Sequence, residues 1–262
     1  MASSVTMAIP DERQMKLRRS NVIAGVFHLI QAIAILALAN SFALPVTAHY
    51  LQDAPRPGAR FATIELFSFP MAYGVAAFSL LSALAHGWIA TWGFRRYIDD
   101  LAHKRNIARW IEYALSSTLM IVLIAMLNSV WDVVALLALA GVNVSMILFG
   151  WLQERYEEPG RGSLLPFWFG CIAGSVPWIA FFFLLVAPGN TAEPPGFVYA
   201  IVFSLFVFFN GFALVQWLQY RQVGRFADYL AGERLYIVLS FVAKTALAWQ
   251  IFGGVLGTSA AG

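Results

Sequence analysis

Ser240-Phe-Val-Ala-Lys244-Thr-Ala-Leu-Ala-Trp-Gln250 lies in the middle of the last long apolar segment of the chain, roughly Arg234 to Leu256. Lys244 is the only lysine after Lys104, and it falls where a membrane-crossing helix is expected to be most apolar. A lysine at the centre of such a helix costs about 2.5–3.5 kcal/mol on insertion scales, which makes it a candidate functional residue by default. The plainer alternative is a lysine paired to one carboxylate for structure alone. An amine in a dry pocket is readily held neutral, and the neutral amine attacks a carbonyl to give a Schiff base.

The rest of the composition sets the context for that lysine. The chain has 262 residues, of which 60% are hydrophobic, 15% aromatic and only 12% charged. Soluble domains carry about a quarter charged residues, and with a mean hydropathy of +0.70 this chain reads as an integral membrane protein. The single cysteine, Cys171, lies in an apolar segment, so it forms no intramolecular disulfide and implies no thiolate metal site. The pI near 9.1 comes from basic residues in short loops, which read as topology determinants and not as a nucleic-acid surface. The first twenty residues are polar and end in Lys16, Arg18 and Arg19, unlike a cleavable signal peptide, and are expected to be poorly ordered apart from their last turn.

Seven apolar segments follow, near 21–42, 66–94, 106–128, 132–152, 165–187, 197–220 and 234–256. Each has about 20 or more mainly apolar residues, enough to cross roughly 30 Å of hydrocarbon at about 1.5 Å per residue. The expected fold is therefore an all-α membrane protein of seven transmembrane helices in one domain, 21–256, between an N-terminal tail, 1–20, and a C-terminal tail, 257–262. The first connection, 43–65, contains Pro45, Pro55, Pro57 and Gly58 and is too long for a simple turn, so a short hairpin is expected there. Fourteen Lys and Arg residues fall in the N-terminal tail and the alternate connections on its side, from Arg13 to Arg234, against Arg56 and Arg60 on the other. The positive-inside rule places the N-terminus in the cytoplasm and the C-terminus outside.

Acids within the spans are scarce. Glu112 lies in the first turns of segment 3, Glu65 and Asp132 fall at outer helix ends, and the remaining acids read as loop or tail residues. Helical side chains lean toward the N-terminus, so Lys244, about 15 Å along its helix, can reach Glu112, about 9–12 Å along a parallel one. A Lys244–Glu112 pair accounts for both intramembrane charges. Ser240, one turn before Lys244, can bond its nitrogen, and Ser116 and Ser117 are candidates to bond the Glu112 carboxylate, unless each serine back-bonds to its own helix.

His28 and His86 are the histidines inside spans. With Gln31, Tyr97, Asn106 and Glu112 they suggest a hydrated pocket in the cytoplasmic half, the alternative being two separately satisfied core histidines. Two histidines without a thiolate or nearby carboxylate are too few to hold zinc. Trp168, Phe169, Trp178, Phe206, Phe208, Phe209 and Trp249 are available to line a slot for a long apolar ligand. Gly170 and Gly174 have GxxxG spacing, which suits close helix packing inside the protein or between copies. Asn143-Val-Ser145 fits a glycosylation pattern but sits inside a span, so it is a chance match.

Several strings together resemble the heliorhodopsins, retinal-binding relatives of the microbial rhodopsins with inverted topology. They are Ala24-Gly-Val-Phe-His28-Leu-Ile-Gln31, Arg109-Trp-Ile-Glu112-Tyr-Ala-Leu-Ser-Ser117, Gly141-Val-Asn143-Val-Ser-Met-Ile-Leu-Phe-Gly-Trp-Leu-Gln-Glu154, Leu165-Pro-Phe-Trp-Phe-Gly-Cys-Ile-Ala-Gly174 and Val238-Leu-Ser240-Phe-Val-Ala-Lys244-Thr-Ala-Leu-Ala-Trp-Gln250. The resemblance covers about residues 20–256. It implies that Lys244 carries all-trans retinal as a protonated Schiff base, that Glu112 is its counterion, and that Ser240 bonds near it. Ser116, Trp168, Phe206 and Gln216 complete the expected cofactor-binding set, while His28, His86, Gln31, Tyr97 and Asn106 form the proton-accepting cavity. It further implies a homodimer to which the first connection contributes a small outer sheet, a slow photocycle, a cell-membrane location and a signalling partner of unknown identity.

Three function classes follow. The first is a photoreceptor, not an enzyme, that keeps its proton within the protein. The second is a light-driven pump or light-gated channel, and the third a chromophore-free membrane enzyme or transporter, which would absorb no visible light after retinal is added. A proton pump usually hands protons on through carboxylates on both sides of the Schiff base, and with Glu112 as the one buried acid, contained transfer is expected.

Overall fold

A computed structural model describes residues 7–186, 189 and 191–257. In chain order it contains α1 (Asp11–Leu38), β1 (Ala43–Leu51), β2 (Phe61–Pro70), α2 (Met71–Ala90), α3 (Phe94–Ala102), α4 (Ile107–Leu127), α5 (Val133–Tyr156), α6 (Leu165–Val186), α7 (Gly196–Tyr220) and α8 (Tyr229–Ile251). A π-helical turn, Phe252–Leu256, continues α8. Seven of the helices are long and apolar enough to cross a membrane, and the eighth is the short α3. This is a multi-pass membrane protein.

α4, α5 and α8 start where polar side chains satisfy the free N–H groups of a first turn. Asn106 accepts from the Arg109 N–H, Asp132 from that of Ala135, and Asp228 from that of Leu230. The helices then bury one stripe and leave the other to lipid, as Ile172, Ile179, Phe183 and Val207 show on α6 and α7. One apolar core, including Phe78, Met120, Ile124, Phe181, Leu205, Leu247 and Ile251, fills the half of the bundle toward the hairpin. At the opposite end, which carries the N-terminus, Leu17, Ile89, Tyr97, Leu101, Tyr229 and Leu230 pack together and seat α3 across the bundle.

β1 and β2 form the hairpin expected in the first connection, antiparallel from Ala43 opposite Pro70 to Leu51 opposite Phe61, with a register shift at Val46/Thr47. Thr47 ties it to the α4–α5 turn through a backbone bond to Trp131. At its tip Arg60 bonds Asp53, holding that carboxyl below its usual range. Tyr50, Leu51, Phe61, Ile64, Leu66 and Phe67 are exposed on this hairpin.

The structure departs from the sequence reading at several boundaries. The first helix begins at Asp11, so half of the expected disordered tail is helical. Asp11 and Glu12 lie in its first turn, where acids suit the helix dipole, and Arg13 is paired with Asp228 at the start of α8. Residues 66–70 belong to β2, α5 runs on to Tyr156, and α8 starts at Tyr229. Of the expected tails, 1–6 and 258–262 lie outside the described residues, as does 187 of the fifth segment.

Candidate functional site

Lys244 is 3% exposed, on the face of α8 turned into the bundle. Its side chain leans back along α8, as helical side chains do, so it meets Ser240 one turn earlier. Nζ donates to Ser240 Oγ at 2.8 Å and to Glu112 Oε1 at 2.6 Å. Ser82 on α2 donates to the same Glu112 oxygen at 2.7 Å, and the Tyr113 ring lies 5.4 Å from Nζ. Three helices, α2, α4 and α8, thus hold one amine against one carboxylate, with Lys244, Glu112, Ser82 and Ser240 all buried.

The same lean explains two expectations the structure does not meet. Glu112 points toward the start of α4, away from residues one turn further on, so neither Ser116 nor Ser117 bonds it. Ser117 Oγ donates to its own helix at Tyr113 O, 2.6 Å, and Ser116 Oγ is buried with no partner among the described residues. Ser82 was not singled out in the sequence; its signal is a position one turn before His86 on the same face of α2.

A cavity of about 460 Å³, enclosed by α4, α5, α6, α7 and α8, opens from Lys244, within the roughly 300–1,000 Å³ usual for small-molecule sites. Trp178, Phe182, Phe206, Phe209 and Phe212 line most of it, with Ser116, Ser117 and Gln216 among its few polar groups. Gln216 is tied to the Gly150 carbonyl at 3.1 Å. Trp178 packs edge-on against both Phe206 and Phe209, which gives the slot rigid walls. Trp168 does not line it: that ring is 52% exposed and turned outward, one position away from the buried Phe167. Phe208 is also absent from the lining, and Phe169 and Trp249 are exposed. Gly170 and Gly174 are internal packing positions, since a side chain on Gly174 would collide with the sulfur of Met146 on α5. An elongated apolar molecule with one carbonyl end fits this lining, because the amine stands at the cavity wall and nearly everything else there is hydrocarbon or aromatic.

Toward the N-terminal end a second charged group lies behind the first, and the sequence reading missed it. Arg109 on α4 is buried, donating to Glu154 Oε1 on α5 and to Glu233 Oε2 on α8, each at 2.6 Å. Its guanidinium also lies over the rings of Tyr236 and Trp110, 4.1 and 4.9 Å from their centroids. Glu154 accepts further from Tyr229 Oη at 2.7 Å, the Asn106 N–H at 2.9 Å and Trp110 Nε1. Glu233 accepts from Asn106 Nδ2 at 2.7 Å and Tyr97 Oη at 3.1 Å. Burial, and then the Glu233 charge, push the Tyr97 hydroxyl well above its ordinary value, so it stays a neutral donor. Glu112 is therefore not the one buried acid: Glu154 and Glu233 are buried too, on the same side of Lys244.

The expected single pocket of His28, His86, Gln31, Tyr97 and Asn106 is divided. His28 and His86 stack with ring centroids 6.0 Å apart, and His86 Nδ1 lies 2.7 Å from Asn21 Oδ1. Both ring nitrogens of His28 lack a partner among the described residues. Gln31 bonds Ser79, whereas Tyr97 and Asn106 belong to the Glu233 cluster. Asn143, in the chance glycosylation pattern, is buried and donates to Ser117 and Thr118.

The heliorhodopsin family model matches residues 17–256, nearly the whole chain. The chain belongs to the heliorhodopsin family. As a member of this rhodopsin family it is a retinal photoreceptor-type protein, and the cavity at Lys244 suits that chromophore. No curated protein matches the chain. Among solved structures it is similar to the transmembrane domain of the Salpingoeca rosetta rhodopsin phosphodiesterase, at 12% identity and a TM-score of 0.65, over 93% of this chain and 84% of that one. The proton-pumping rhodopsin AR2 of Acetabularia acetabulum aligns at 14% identity and a TM-score of 0.62, over 93% and 96%. A light-driven proton pump of Leptosphaeria maculans aligns at 15% identity and 0.61, over 95% and 98%. At these identities the likeness is of the microbial rhodopsin fold alone, and for the phosphodiesterase it concerns the transmembrane domain.

Proposed function

We propose that this heliorhodopsin is a light sensor of the cell membrane, N-terminus in the cytoplasm, that carries all-trans retinal as a protonated Schiff base on Lys244 with Glu112 as counterion. The observation that supports it most is Lys244 Nζ held between Glu112 Oε1 and Ser240 Oγ at the wall of an apolar cavity. Retinal, when bound, supplies visible absorption and a light-driven isomerisation. The chain's own part is to place the amine, balance its charge and exclude water. Attack on a carbonyl requires an unprotonated amine, and Glu112 Oε1 is the base within reach. Afterwards the same carboxylate holds positive charge at the nitrogen, with Ser82 and Ser240 fixing the two partners. The aromatic walls confine the ligand to one slot.

Proton transfer is kept within the protein in this reading, and a pump is the alternative, since two of the structural neighbours are named as proton pumps. The contained route is favoured by the placement of the buried acids: Glu112, Glu154 and Glu233 all lie toward the N-terminal end. On the other side of Lys244 there is no buried acid among the described residues, and Leu247, Ala248 and Ile251 belong to the apolar core. A pH electrode in a lightly buffered suspension of retinal-supplied cells tests this. Coloured cells should give no light-dependent pH change with or without a protonophore; a protonophore-sensitive change would mean transport.

The counterion has its own readout. In Glu112→Gln, the visible pigment should give way to a near-ultraviolet form at a pH about one to three units lower than in the parent, because an adjacent negative charge stabilises the protonated nitrogen by that much. Each unit corresponds to about 1.4 kcal/mol. An unchanged titration midpoint would assign the counterion elsewhere.

A further inference from the structure

We infer that Glu233 is where the proton released at Lys244 comes to rest, with Tyr97 as the positioning residue that holds it there. The inference rests on the contained proton transfer proposed above and names its acceptor.

Three observations carry it. The first is charge. Lys244 and Glu112 balance each other, but Arg109 alone faces both Glu154 and Glu233, so the second cluster has one buried negative charge in excess. Uncompensated buried charge is costly, and a proton delivered to this cluster brings it to neutrality. The second is a path. A small cavity of about 30 Å³ lies between the two groups, bounded by Glu112, Glu233, Asn21, His86, Asn106 and Tyr236 among others. That is room for about one water with several polar partners. Tyr236 Oη, on a buried residue bounding this cavity, has no hydrogen-bond partner among the described residues.

The third is the chemistry of the donors. Glu154 accepts from four, of which the guanidinium, the indole and the backbone N–H cannot reverse to accept. Glu233 Oε1 accepts from an amide and from the Tyr97 hydroxyl, and a hydroxyl can turn to accept instead. A proton on Glu233 Oε1 therefore finds an acceptor in Tyr97 Oη, which no longer needs to donate there. Around Glu233 stand Asn21 of α1, His86 of α2, Tyr97 of α3, Arg109 and Glu112 of α4, Glu154 of α5, and Tyr229 and Tyr236 of α8. Among these, Glu112 starts the transfer, Arg109 stays charged, and Tyr229 is engaged with Glu154.

The step balances without a co-reactant. The N–H bond at the Lys244 nitrogen breaks, leaving its electron pair on nitrogen, and an O–H forms on Glu112. That proton then passes through the small cavity to Glu233 Oε1, restoring the Glu112 carboxylate, and the reverse transfer ends the cycle. The transfer does not use His28 or His86.

Light-minus-dark infrared spectroscopy on the retinal-loaded full chain tests it, with visible kinetics recorded in parallel. A carboxylic-acid C=O band should rise as the nitrogen loses its proton, shift on labelling glutamate with carbon-13, and vanish in Glu233→Gln. In Tyr97→Phe the band should persist at a different frequency, because its acceptor is gone; this variant decides the matter if Glu233→Gln does not fold. A band unmoved by both substitutions, or imidazolium bands with no carboxylic-acid band, overturns the assignment to Glu233 while leaving contained transfer intact. A protonophore-sensitive pH change in the bulk would instead overturn contained transfer itself.

Discussion

Lys244→Ala should give a folded protein that stays colourless when all-trans retinal is supplied. Alanine is the best helix former, and the substitution removes a charge that is costly to bury, so α8 itself loses nothing. The remaining problem is Glu112, which keeps Ser82 as a donor but loses its cation. A carboxyl stranded in this way takes up a proton instead of unfolding the bundle, so the helical signal and the amount of protein in the membrane should be close to the parent's. Colour depends on a covalent bond that alanine cannot make, and the loss should be complete. Absorption spectra at matched protein concentration, with circular dichroism as the folding control, give the answer. Covalently held pigment in this variant would remove Lys244 from the centre of the site and the proposed function with it.

What the sequence showed most clearly was what the membrane makes expensive. Seven apolar segments were legible because each must satisfy its backbone within itself. The Lys244–Glu112 pair was legible because the scarcity of charge left few partners and the lean of helical side chains fixed the direction of reach. The same rule, applied to Glu112 itself, turns its carboxylate away from Ser116 and Ser117. Arg109, Glu154 and Glu233 were not recognised as a cluster for a related reason. Glu154 and Glu233 are each followed by arginine, Arg155 and Arg234, so both stretches look like solvated ends and the apolar segments read as ending at 152 and starting at 234. In the fold both helices continue, because Arg109 brings each acid a partner from another helix. A hint was present in Asn106, a capping residue three positions before Arg109, which placed that arginine inside a helix and not in a loop. Which helices would bring acids to it depends on tertiary contacts across 45 and 124 positions of chain, and no local pattern records those.

Arg109→Met should cost about 3–5 kcal/mol of stability, the usual consequence of removing one partner from a buried ionic group. The substituted side chain keeps much of the apolar stem, so the effect isolates the charge. Glu154 and Glu233 would then face each other's field with only Tyr97, Tyr229, Trp110 and Asn106 as donors. On the scale of soluble domains, that loss corresponds to a fall of roughly 10 °C in the midpoint of thermal bleaching. Replacing all three groups together, as Arg109→Met with Glu154→Gln and Glu233→Gln, removes the charges without stranding any and should recover most of the lost stability. A single variant that bleaches at the parent's temperature, or a triple variant as fragile as the single, would mean that the bundle is held at this end by α3 and the surrounding apolar cluster, and that the three charges are kept for the movement of a proton.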